Sequence, residues 1–186
     1  MKTPLQILLT ALLLAFACPG VTADWAPDPQ EDRQVKAATE ISHMLEAKPK
    51  LQKYFDEAHG FAIFPTVGRA AAGIGFVYGR GLVIEQGQLV GSASQYKGAL
   101  GFDFGAQLHS QIIFFQNEEI MNEFKTFGWE FEGRGSAVLI AFGASVDPAY
   151  KPRVAIFSRT KGGLMVELAA HLGKYNFKPI QTAHSP

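Results

Sequence analysis

The spacing of hydrophobic positions changes once along this chain, near Gly60. Before it the period is helical. Val35, Ala38, Ile41 and Leu45 form an approximate apolar stripe. Asp28-Pro29-Gln30-Glu31 offers that helix a start, with Asp28 as cap, Pro29 at the first helical position and Glu31 three residues after the cap. Pro49 interrupts. Leu51, Tyr54, Phe55 and Ala58 then recur at i, i+3, i+4 and i+7, predicting a second, short helix ended by Gly60. After Gly60 the period is two. Phe61, Ile63 and Phe64 open a strand that Pro65 is expected to stop. Residues 70–78 and 81–86 read as strands, and Gln86-Gly87-Gln88 as a turn into a strand reaching about Tyr96. Across residues 100–116, Phe102, Phe104, Ala106, Leu108, Ile112 and Phe114 face one way, and Asp103, Gln107, His109 and Gln111 face the other, giving one apolar and one polar face. Asn117 caps a further helix with Glu118 and Glu119 in its first turn, Lys125 near its end, and Ile120, Met121, Phe124 and Phe127 as its buried stripe. Residues 136–146 are apolar on both faces, which predicts a central strand. Residues 154–158 and 164–168 predict a closing hairpin.

The elements define an α+β fold: N-terminal helices packed on a curved, largely antiparallel, glycine-rich sheet with one inserted helix. The curvature is expected from Gly73, Gly75, Gly79 and Gly81, all at odd positions. A dinucleotide loop would need glycine where Tyr78 stands, and a helix after it; a Walker loop would need Gly-Lys-Ser/Thr, which is missing. In an extended chain the four glycines share one face, and Gly101 and Gly105 repeat the device. A bare face permits sharp bending or close backbone approach. Gly79-Arg80-Gly81 also suits a turn between strands.

The N-terminus changes the picture of location. Lys2, an apolar run over residues 7–16 and the small residues of Val21-Thr22-Ala23 read as a secretory signal peptide cleaved after Ala23. Residues 24–28 would then be a linker, 29–178 the domain and 179–186 a flexible tail, in a periplasmic or secreted protein. Cleavage removes Lys2 alone among the charged residues, leaving 16 cations against 17 carboxylates and a net charge of −1. It also removes Cys18, the single cysteine, so no disulfide is expected. The alternative is a lipoprotein anchored through Cys18. Neutrality overall gives no reason to expect a nucleic-acid partner.

Candidate chemistry is sparse. His43, His59, His109, His171 and His184 include no pair at helical metal-site spacing, and no metal or other cofactor is expected. Asp103 and His109 share a strand face but lie ~20 Å apart at ~3.3 Å per residue. Ser110 faces away from His109, and there is no Gly-x-Ser-x-Gly elbow, so no catalytic residues are assigned and no enzyme is expected. The basic residues are more suggestive. Arg69, Arg80, Arg134, Arg159 and Lys161 stand at expected strand ends or turns, with Arg159-Thr160-Lys161-Gly162-Gly163 as a hairpin tip carrying two cations. Such positions can hold an anionic head group. Lys48, Lys50 and Lys53 cluster on the second helix as a solvated face.

Three blocks resemble the SYLF domain family. FAIFPTVGRAAAGIGFVYGRGLVI (61–84) resembles its opening block, with Phe-Pro, a basic residue and spaced glycines ending in Gly-basic-Gly. GFDFGAQLHSQIIFFQNEEIMNEF (101–124) and IFSRTKGGLMVEL (156–168) resemble the second and third, in the same order. The resemblance implies a lipid-binding module without an enzymatic active site, and it carries Arg69, Arg80, Arg159 and Lys161 over as basic positions of the binding surface. The function expected is non-catalytic binding of anionic lipid or phospholipid head groups at an envelope membrane surface. The alternatives are a structural or interaction protein with an envelope protein partner, or an envelope hydrolase.

Overall fold

The computed structural model describes residues 25–127, 137–141, 154–166 and 169–180. The expected signal peptide, Arg134 and residues 181–186 lie outside them. The order is α1 (Asp32–Ala47), a 3₁₀ turn (Pro49–Leu51), α2 (Gln52–Glu57), β1 (Gly60–Glu85), β2 (Gln88–Phe115), α3 (Glu118–Phe127), β3 (Ala137–Ala141), β4 (Val154–Val166) and β5 (Ala169–Pro179). The fold is mixed α+β on a sheet that is antiparallel apart from β3, which pairs in parallel with β4. Among the described residues the central strand is β2, and of the central strand expected at 136–146 only 137–141 are described. The β2 strand pairs with β1 along one edge, and with β4 and then β5 along the other, while β3 ends the order β1-β2-β4-β3.

The β1–β2 hairpin dominates. Gln86 and Gly87 both have positive φ, 46° and 77°, as a two-residue primed turn requires. Neither expected interruption of β1 occurs. Pro65 sits inside the strand, at a register shift between Phe64 and Val67 that absorbs its missing N–H. Gly79-Arg80-Gly81 is not a turn; it stays extended and paired with Gln95, Ser94 and Ala93. A straight strand of this length would span roughly 80 Å, yet the Gln86 N–H donates to the His59 carbonyl at 3.1 Å, so the tip of the hairpin returns to its base. Glu85 locks this junction: its carboxylate accepts from Lys125 of α3 at 2.6 Å and lies 3.1 Å from His59 Nε2. Burial works to raise the Glu85 pKa, but the Lys125 and His59 contacts outweigh it and hold the carboxyl below the usual glutamate value.

Two cores lie on the two faces. Ile41 and Met44 of α1, with Leu51, Tyr54 and Phe55, cover Phe61, Ile63, Leu82, Ile84, Ile112, Phe114 and Phe157. Phe55 meets Phe61 and Phe114 edge-on, at 5.2 and 4.7 Å between ring centroids. On the other face Ile120, Met121 and Phe124 of α3 cover Phe64, Ile113, Phe115, Ile156 and Tyr175. Gln111 is therefore buried rather than on a polar face. Ile120, Met121 and Phe124 of the expected α3 stripe are buried, and the Asn117 cap, which accepts from the Ile120 N–H at 3.1 Å, is as predicted; the side chain of Phe127 lies outside the described residues.

Four local expectations are corrected. The α1 helix starts at Asp32, because the Asp28 side chain closes a turn on the Gln30 N–H at 2.9 Å instead of capping a helix. Its buried face is Ala37, Glu40, Ile41 and Met44, and Val35 is exposed. Trp25, in the segment expected as a linker, is buried against Phe61. The hairpin expected at 154–168 is one strand over its described residues, Val154–Val166, with Lys161 at a register shift opposite Leu108 and His109. The strand β5 pairs antiparallel with β2 over Gly91–Gly101, and Ile180 extends its end by donating to the Val90 carbonyl at 3.1 Å.

Candidate functional site

The four basic positions that the sequence singles out separate into different environments. Arg159 and Lys161 are not at a tip. Both reach across from β4 to Glu40 of α1, a carboxylate that is nearly fully buried: Arg159 Nη2 lies 2.6 Å from Oε1 and Lys161 Nζ 2.6 Å from Oε2. Ser110 of β2 donates to the same Oε1 at 2.6 Å. Burial would raise the Glu40 pKa, but hydrogen bonds from Lys161, Ser110 and Arg159 together outweigh it and hold the carboxyl below the usual glutamate value. The cluster thus pins α1 to the sheet, and its cations already have a counter-charge.

Arg80 stands elsewhere. It is exposed on β1, and its Nε donates to the Tyr78 hydroxyl at 2.6 Å. It borders a groove of about 790 Å³ whose wall also carries Arg33 and Lys36 from α1 and Lys178 from β5. Pro65, Thr66, Ser92, Ser94 and Asn176 supply neutral polar and backbone groups, and among the described residues no Asp or Glu lines the groove. Lys36 does meet one carboxylate, Asp32, 3.1 Å away, but both side chains are largely in water, where such a pair contributes little. Arg69 is buried on β1 opposite Gln107, and borders a second depression that shares Gly68, Tyr78 and Leu108 with the groove. Lys50 and Lys53 are exposed and border neither hollow.

The floor of the groove is made by the glycines. Gly79 and Gly81 are buried. A Cβ on Gly81 would collide with the Ile63 carbonyl oxygen and lie 2.8 Å from a Phe64 ring carbon; one on Gly79 would lie 2.8 Å from Val67. The two arms of β1 come this close only because these residues lack side chains. On the other side of the strand, Arg80 and Tyr78 point outward.

Neither family models nor curated proteins match this chain. Among the described residues no cluster of His, Cys, Asp or Glu has a metal-site arrangement, and no helix is long and apolar enough to cross a membrane. The groove cations Arg33, Lys36 and Lys178 were not legible beforehand: each is an ordinary surface residue locally, and only the fold collects them. The one local sign is the i, i+3 spacing of Arg33 and Lys36, which sets two cations on one helix face.

Proposed function

We propose that this protein is a non-catalytic lipid-binding module that takes the anionic head group of a phospholipid in the groove bordered by Arg33, Lys36, Arg80 and Lys178, at the surface of an envelope membrane. The reading rests on one observation above the others: four cations from three separate elements surround one hollow that, among the described residues, no carboxylate lines. Net charge is zero over the chain, so long-range attraction does not hold it on a membrane and a local cluster must. The resemblance of the three sequence blocks to the SYLF domain family points the same way, and Arg80 belongs to its Gly-basic-Gly position. Within this proposal the curved, glycine-rich sheet serves to build the groove, with Gly79 and Gly81 at its floor. Arg159 and Lys161, already paired with Glu40, serve the packing of α1 on the sheet rather than the groove itself. The leader over residues 1–23, with cleavage after Ala23, would deliver the protein to the periplasm or exterior.

Lipid extracted from the purified protein and identified by mass spectrometry tests the reading. Enrichment of anionic phospholipid over the composition of the host membrane is expected. Recovery of zwitterionic lipid alone, in host proportions, would refute it.

A further inference from the structure

We propose, building on the lipid-binding reading above, that the protein docks on the bilayer through the uncovered apolar face formed by Ile74, Phe76, Tyr78, Tyr96 and Leu108. Register places these residues on one side of the hairpin. Ile74, Phe76, Tyr78 and Leu82 alternate along β1 without a register shift; Tyr78 pairs with Tyr96, and Leu108 alternates with Ile112 and Phe114 on β2. Leu82, Ile112 and Phe114 are the residues that α1 and α2 cover. The same face continues past the helices and stays bare, with Phe76 69% and Ile74 57% exposed. Side chains of this size at that exposure leave a contiguous apolar surface in water, which marks an interaction site.

Charge identifies the occupant. Tyr78 and Leu108 border both this face and the cationic groove, so apolar side chains and the four cations adjoin with no carboxylate among the described lining residues. That order, apolar surface and then cations, matches the order of acyl chains and anionic head groups in a membrane. Tyr78 and Tyr96, in tilted contact with ring centroids 5.1 Å apart, have apolar rings and polar tips suited to the boundary, and the Tyr78 hydroxyl already faces Arg80. A second copy of the chain fits worse. A two-fold contact through this face would bring Arg33, Lys36, Arg80 and Lys178 toward their own equivalents.

The test uses the full chain with Cys18→Ser and one introduced cysteine carrying a polarity-sensitive fluorophore, Ile74→Cys on the bare face or Asn122→Cys on exposed α3. The probe membrane is phosphatidylcholine vesicles containing phosphatidylglycerol, with nitroxide-labelled acyl chains as quencher. Quenching and a blue shift are expected at position 74 and not at position 122. Phe76→Ser, at an exposed site that the fold tolerates, is expected to weaken partitioning about tenfold, as for withdrawing an aromatic side chain from an apolar phase. If wild type binds these vesicles while position 74 stays unquenched and Phe76→Ser binds equally well, the docking face is wrong and the groove reading survives. If wild type binds no vesicle, both fall. If Phe76→Ser dissociates an oligomer seen by light scattering and leaves vesicle binding unchanged, the face belongs to a second copy and the proposal is overturned.

Discussion

Gly81 shows how one missing side chain sets a whole site. The two arms of β1 meet at this residue, and a methyl group there would occupy the space of the Ile63 carbonyl oxygen, which backbone pairing prevents from moving far. Gly81→Ala is therefore expected to destabilise the protein by roughly 1–3 kcal/mol, as at other overpacked sites. Gly98 lies on the same hairpin, and a Cβ there meets nothing within 4 Å. Gly98→Ala should leave stability within about 0.5 kcal/mol of wild type. Urea unfolding of the two variants measures both; equal effects would remove close approach as the reason for glycine. The role of these glycines is only half legible in sequence. Their common face follows from the period of two. A strand alternating glycine with Ile74, Phe76 and Tyr78 would ordinarily bury its large residues, and here the glycine side is inside. What decides this is the return of the hairpin on itself, a contact between residues about 20 apart that no local pattern encodes.

Among the elements, α2 was readable from its apolar spacing, and α3 from its apolar spacing and its Asn117 cap, signals that are local and unopposed. The face of α1 was not. Its buried Glu40 replaces an apolar residue only because Arg159 and Lys161, more than a hundred positions later, meet it. For Glu40→Ala, a loss of roughly 1–3 kcal/mol is expected, less than the ~3–5 of a fully buried pair because both cations retain some access to water. The pH dependence has a definite sign. Glu40 and Glu85 have folded pKa values below the usual glutamate value. Their stabilisation is thus fully present above about pH 4.3, the unfolded value, and is lost as pH falls through the lowered values. Urea midpoints measured from about pH 6 down to pH 3 should fall, and Glu40→Gln should flatten that fall. An equally steep acid slope in Glu40→Gln would show that the cluster does not titrate as described.

For the whole molecule, the central claim is that anionic lipid is held at the groove around Arg80. Vesicle co-sedimentation across a salt series, comparing phosphatidylglycerol-containing with pure phosphatidylcholine vesicles, tests it most directly. Wild type should bind the anionic vesicles only, and less as salt rises, because exposed cations are screened over ~10 Å at 0.1 M ionic strength. Arg80→Ala should weaken binding about fivefold, the equivalent of about 1 kcal/mol for one cation near an anionic surface. The Arg159→Ala, Lys161→Ala pair should lose stability through Glu40, while the protein that remains folded binds more tightly than Arg80→Ala. Contradiction would come from wild type binding neither vesicle, or from Arg80→Ala binding like wild type at every salt concentration while the Arg159→Ala, Lys161→Ala pair, still folded, does not bind.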